Sequence, residues 1–147
     1  MKINYKQLFK YLLITFLIGS LFSVFTIDNS YYKMLIKPIE IPPIVFPIVW
    51  SILYILSSIS IYIVRYSKEA NKIYLLQIIT NSLWTLFFFG FKLINFSFIW
   101  CLLLLIIVSI MTYYFYKLNK VSGFLNIPYI LWLIFASYLN LSILILN

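Results

Sequence analysis

The sequence contains no histidine, one cysteine and three acidic residues among 147. Without histidine, no Ser-His-Asp or Cys-His arrangement can form, and the usual His/Cys metal cluster is excluded. Cys101 alone makes no intrachain disulfide. The acids Asp28, Glu40 and Glu69 all fall between apolar runs, not inside them. Paired-carboxylate acid–base chemistry is therefore poorly served, and so is a proton-coupled pump, which needs acids at membrane depth. Glycine is scarce at three residues. No Gly-xxx-Gly pair exists, and Gly19 with Ser23 is the nearest small-residue candidate for helix pairing.

What remains is strongly apolar. Hydrophobic residues make up 65% and charged residues 10%, where a soluble domain is roughly half apolar and about a quarter charged. Five apolar runs stand out: Leu8–Ile27, Phe46–Val64, Ile73–Phe91, Leu93–Tyr116 and Phe124–Leu146. Each is near the roughly 20 residues that cross a bilayer. They are continuous, not alternating, which favours helices over barrel strands. The expected fold is an all-α membrane protein, a five-transmembrane-helix bundle forming a single domain over residues 1–147. Lys2, Lys6 and Lys10 before the first run could belong to a signal peptide. No small-residue cleavage pattern follows, so a retained helix is expected.

The net charge of +8 reads as topology and headgroup contact, with no nucleic-acid partner. With five spans, Lys2, Lys6, Lys10, Arg65, Lys68, Lys72, Lys117 and Lys120 share one side, against Lys33, Lys37 and Lys92 on the other. That bias predicts a cytoplasmic amino terminus in a bacterial cell membrane. The one long connection, Asp28–Val45, carries Pro38, Pro42 and Pro43, with Pro47 just inside the next helix. Proline in these places stiffens the chain, so a compact lid is expected. The turn near Lys92 is short and predicts a tight hairpin.

Polar groups inside apolar runs call for explanation. Gln77, Asn81, Trp84 and Phe88 lie on one stripe of the third helix, and Tyr129, Trp132, Ala136 and Asn140 on one stripe of the fifth. Trp50 and Tyr54 share a face of the second. Taken singly, such residues serve as interhelical hydrogen-bonding groups or interfacial aromatics. Taken jointly, aromatic walls with a few amides describe a small-molecule pocket. Ala136 leaves room between its larger neighbours.

The loop segment Tyr31-Tyr32-x-x-Leu35-x-Lys37-Pro38-x-x-x-Pro42-Pro43 and its continuation Phe46-x-x-Val49-Trp50-x-x-Leu53-Tyr54 resemble the TspO/MBR family of tryptophan-rich sensory or translocator proteins. So do Leu76-Gln77-x-x-x-Asn81-x-x-Trp84-x-x-Phe87-Phe88-x-Gly90 and Pro128-Tyr129-x-x-Trp132-x-x-Phe135-Ala136-x-Tyr138-Leu139-Asn140-Leu141. The first helix matches only generically. The chain departs from the family at Tyr31, where Trp is usual, and at Glu40, where an aromatic is usual. The lid is one residue shorter between Pro43 and Phe46. No basic residue follows Tyr138, so the short sterol motif is absent.

The resemblance implies a five-helix bundle, commonly a homodimer, with a pocket beneath the first loop that binds porphyrins such as protoporphyrin IX. Carried over by position, the ligand-binding residues would be Tyr32, Trp50, Tyr54, Asn81, Trp84, Phe87, Phe88, Cys101, Trp132 and Ala136, beneath a lid containing Lys37, Pro38, Pro42 and Pro43. Some members degrade protoporphyrin with light and oxygen, and Trp50 and Trp132 would then carry the catalytic role. No cofactor or metal is expected; the porphyrin is ligand or substrate. Its flat faces suit aromatic walls, and Lys33 or Lys37 could meet its propionates. Haem ligation is poorly served, so metal-free porphyrin fits better. The roles left open are sensor or scavenger, possible porphyrin-degrading enzyme, transporter of small hydrophobic molecules, and membrane interaction subunit.

Overall fold

The computed structural model describes residues 3–28 and 30–147. Every regular element among them is helical. Helix α1 spans Tyr5–Gly19 and is followed by a 3₁₀ turn, Ser23–Thr26; α2 is the short Ser30–Met34; α3 is Val45–Val64. Helix α4 is Lys68–Thr85 and runs on through a π turn, Leu86–Gly90. Helices α5, α6 and α7 cover Ile94–Leu118, Lys120–Phe124 and Ile127–Leu146. Among the described residues, four stretches are long and apolar enough to cross a membrane: Val45–Val64, Lys68–Gly90, Ile94–Leu118 and Lys120–Leu146.

The first apolar run departs from expectation. Its helix stops at Gly19 instead of continuing to Ile27, giving 15 residues and about 22 Å at 1.5 Å per residue. Two local causes are visible. Ser20 turns its hydroxyl back onto the Phe16 carbonyl, a bond that bends helices. The Gly19 carbonyl accepts from Tyr54 Oη at 2.9 Å and so leaves the helical ladder. The fifth run is also interrupted. Asn126 donates through Nδ2 to Ser60 Oγ at 2.7 Å and to the Ser122 carbonyl at 3.2 Å, and the proline at the start of α7 restarts the helix.

Helix starts follow side-chain capping. Asn4 Oδ1 accepts from Gln7 N, Ser67 Oγ from Ala70 N, and Asn119 Oδ1 from Ser122 N. Arg65 reaches Gln7 Oε1, and Tyr11 reaches Asn71 Oδ1. The start of α1 and the α3–α4 turn are therefore tied at one end of the bundle. At the other end, Lys92 closes the hairpin between α4 and α5 with φ 56°, a left-handed conformation that a non-glycine residue adopts at some cost.

Helix α5 packs along both α4 and α7, and α1 packs along α3. The half of the bundle holding the α3–α4 turn is filled by Ile61, Val64, Ala70, Tyr74, Val108 and Phe115, all buried. Gly123 lets α6 approach α5, since a Cβ there would lie 2.6 Å from Tyr116 Cα. The half beneath α2 is not filled and contains the site described next.

Candidate functional site

A cavity of about 440 Å³ opens between α1, α3, α4, α5 and α7 under the lid. That volume falls within the usual range for small-molecule sites. No Asp, Glu, Lys or Arg is among its described lining residues. The wall is largely aromatic. Trp84 stacks on Phe88 with ring centroids 5.3 Å apart, Trp50 tilts over Tyr54 at 5.7 Å, and Phe46 meets Trp132 edge-on at 6.2 Å.

Of the residues singled out from the sequence, Tyr32, Trp50, Tyr54, Asn81, Trp84, Phe88, Cys101, Trp132 and Ala136 line this cavity. Phe87 does not. Its ring packs outward in the α4–α5 hairpin against Phe96 and Trp100, with centroids 4.8 and 4.9 Å away. The π turn explains the exchange. Its wider turn brings Phe89, five residues after Trp84, onto the cavity face. Of the lid residues, Pro43 reaches the cavity while Lys37, Pro38 and Pro42 stay outside its lining.

Lys37 is engaged within the lid itself. Its ammonium donates to the carbonyls of Tyr32 at 2.9 Å and Leu35 at 2.8 Å, and sits 4.8 Å from the Tyr32 ring centroid. Its side chain is 2% exposed and lies 3.6 Å from Glu40, which is 85% exposed. Lys37 thus fastens the end of α2, and Glu40 is its solvent-side counterion.

The two polar stripes divide by depth. At the base, Tyr129 donates to Gln77 Oε1 at 3.0 Å, and both residues are buried outside the cavity lining. This is interhelical hydrogen bonding. Higher up, Asn81 donates to Tyr54 Oη at 2.9 Å, on the wall itself. Three buried polar atoms on lining residues have no protein partner among the described residues: Tyr32 Oη, Trp84 Nε1 and Asn140 Oδ1. Leaving such atoms unpaired costs about 1–3 kcal/mol each, so the packing around this cavity carries an uncompensated polar cost. Burial pushes the Tyr32 phenol above its ordinary pKa.

Helix α1 supplies lining that the sequence did not reveal, namely Phe16 and Gly19 with the following Ser20. Its apolar run carries no distinctive motif. Cys101 lies 3.4 Å from Ser137 Oγ on the floor of the cavity.

The TspO/MBR family model matches residues 11–146. The chain is 34% identical over 137 residues to protein CrtK of Rhodobacter capsulatus, covering 88% of this chain and 83% of that one. It is 33% identical over 147 residues to the tryptophan-rich protein TspO of Bacillus cereus, covering 92% and 95%. A tryptophan-rich sensory protein of Cereibacter sphaeroides is 32% identical over 123 residues, covering 81% and 78%. The helices long enough to cross a bilayer, the aromatic cavity and these matches agree, and the chain belongs to the TspO/MBR family of membrane proteins.

Proposed function

We propose that this protein binds porphyrins, protoporphyrin IX in particular, in the cavity beneath α2. The supporting observation is the cavity wall: aromatic, uncharged and closed over by a fastened lid. A flat macrocycle buries its faces against such rings, and its ring nitrogens and peripheral groups could engage Tyr32, Trp84 and Asn140. Its propionates would point toward the lid surface. Lys33, exposed on α2, is the cation for them in this reading, since Lys37 is committed to backbone carbonyls.

In the bilayer we infer five crossings, α1 with its 3₁₀ extension being the short one, and a homodimer. The cytoplasmic amino terminus is supported by the basic end of the bundle, where Lys6, Lys10, Arg65, Lys68 and Lys72 gather around the start of α1 and the α3–α4 turn; Lys2 lies outside the described residues. The protein would act as sensor or scavenger. Light and dioxygen at a bound porphyrin generate reactive oxygen, and Trp50 and Trp132 are oxidisable rings on the wall, so photodegradation is part of the proposal.

Titrating purified protein with protoporphyrin IX should quench tryptophan fluorescence to saturation at one site per chain. Illumination in air should bleach the bound Soret band, and Trp50→Phe and Trp132→Phe should slow the bleaching. No saturable quenching would dismiss the binding site. Equal bleaching in all three proteins would dismiss the catalytic role.

A further inference from the structure

Trp132 lines two spaces at once. Its inner side faces the cavity, and its outer side faces a groove on the surface of the bundle, formed with Ile52, Pro128, Leu131 and Phe135. Ile52 is 51% and Leu131 61% exposed, so this groove opens sideways toward lipid. It lies over the seam between α3 and α7. Helix α7 packs its length along α5, and α3 packs along α1, with no extended backbone packing between α3 and α7 among the described residues. Rings close the seam instead: Phe46 against Trp132 at 6.2 Å and Trp50 against Tyr129 at 5.9 Å.

We propose that this seam is a lateral port, that Trp132 is its gate, and that uncharged flat hydrophobes dissolved in the bilayer reach the cavity through it. The proposal rests on the cavity being the ligand site. Three observations carry it. The partition is a side chain, which can change rotamer, and not a packed backbone. The space inside it is open, because Ala136, one turn along α7, presents only a methyl group to the cavity. The opposite face, under the lid, is fastened by Lys37 and by the Asn147 amide, which both donates to the Ile36 carbonyl and accepts from the Ile36 N–H at 2.9 Å. A guest that partitions into hydrocarbon meets the groove first. The groove lining holds no charged residue that would disfavour it.

The test fills the groove without touching the cavity. Ile52 and Leu131 contribute to the groove and are absent from the cavity lining, and lipid-exposed positions tolerate added volume. The double variant Ile52→Phe/Leu131→Phe, reconstituted in liposomes, is compared with wild type by stopped-flow quenching with protoporphyrin IX dimethyl ester. Association and dissociation should both slow, by about tenfold, with the equilibrium constant unchanged. The matched variant Ile106→Phe/Ile110→Phe, on the exposed face of α5, should keep wild-type rates. Unaltered rates in the groove variant, with binding intact, would overturn the port. Slowing of the same size in the α5 variant would overturn it too. Groove-insensitive kinetics with loss of brominated-lipid quenching of Trp132 would identify a resident acyl chain and likewise overturn it. Absence of any equilibrium binding to wild type is a separate outcome, seen before any rate is measured, and it removes the binding site and the port together.

Discussion

The Tyr54 phenol donates to the Gly19 carbonyl at 2.9 Å, and its ring occupies the space where any side chain at position 19 would stand. A Cβ on Gly19 would lie 2.6 Å from Tyr54 Cζ. This contact sets the distance between α1 and α3 on the cavity wall. It also holds Tyr54 Oη where Asn81 can donate to it.

Gly19→Ala should therefore displace the Tyr54 ring and disturb both hydrogen bonds. Overpacking of this kind costs about 1–3 kcal/mol. Tyr54→Phe keeps the packing and removes only the hydroxyl, a loss nearer 0.6–2 kcal/mol between membrane helices. Thermal unfolding in detergent should rank wild type above Tyr54→Phe and Tyr54→Phe above Gly19→Ala. Wild-type stability in Gly19→Ala would show that α1 is free to slide.

Ala136 tests whether cavity volume governs binding. It lines the cavity between Trp132 and Asn140 on α7, and a Phe there would fill space without disturbing the packed half of the bundle. Ala136→Phe should weaken protoporphyrin IX affinity by tenfold or more, about 1.4 kcal/mol, with little change in unfolding temperature. The measurement is the same quenching titration. Unchanged affinity would place the ligand elsewhere.

Much of this site is readable in the sequence because its residues repeat at helical spacing. Asn81, Trp84 and Phe88 fall on one face at any regular helical pitch, and so do Trp132, Ala136 and Asn140. Phe87, carried over by position from the family resemblance, packs outside the cavity while Phe89 lines it, because the π turn at Leu86–Gly90 changes the pitch. The part played by α1 was hidden for another reason. Its lining residues are ordinary apolar ones, and the end of its helix depends on Tyr54, a residue 35 positions away. Lys37 reads as a free lid cation until its ammonium is seen bonded to two carbonyls of its own loop. Local pattern finds faces; long-range partners decide where elements stop and which charges remain free.

Lys37 gives a prediction about the lid. Its side chain is almost wholly enclosed, and it supplies donors to the Tyr32 and Leu35 carbonyls at the end of α2. Charged hydrogen bonds of this type contribute about 1.5–3 kcal/mol together with the cost of leaving carbonyls unpaired. Lys37→Met should loosen the lid while leaving α3, α4, α5 and α7 intact. Amide hydrogen exchange should speed up over residues 30–37 and stay unchanged in the helix cores. Protection equal to wild type would mean that packing of Tyr32 holds the lid without the ammonium.

The Asn147 amide makes a second fastening, and its geometry yields a sharper test. One side chain satisfies both the N–H and the C=O of Ile36 at 2.9 Å, while its Nδ2 also donates to the Ile143 carbonyl at 2.8 Å. It thereby joins the end of α7 to the lid in the manner of a short strand pair. The site is exposed, so water competes and each bond is worth at most about 1 kcal/mol. Asn147→Ala should accelerate exchange of the Ile36 amide by about tenfold and leave the Lys37-bound carbonyl end of α2 in place. Asn147→Asp discriminates further. A carboxylate can still accept from the Ile36 N–H but cannot donate to its carbonyl, so Ile36 exchange should fall between wild type and Asn147→Ala. If Asp and Ala behave alike, the Ile36 amide is protected by the loop fold and the side-chain pairing contributes nothing to lid closure.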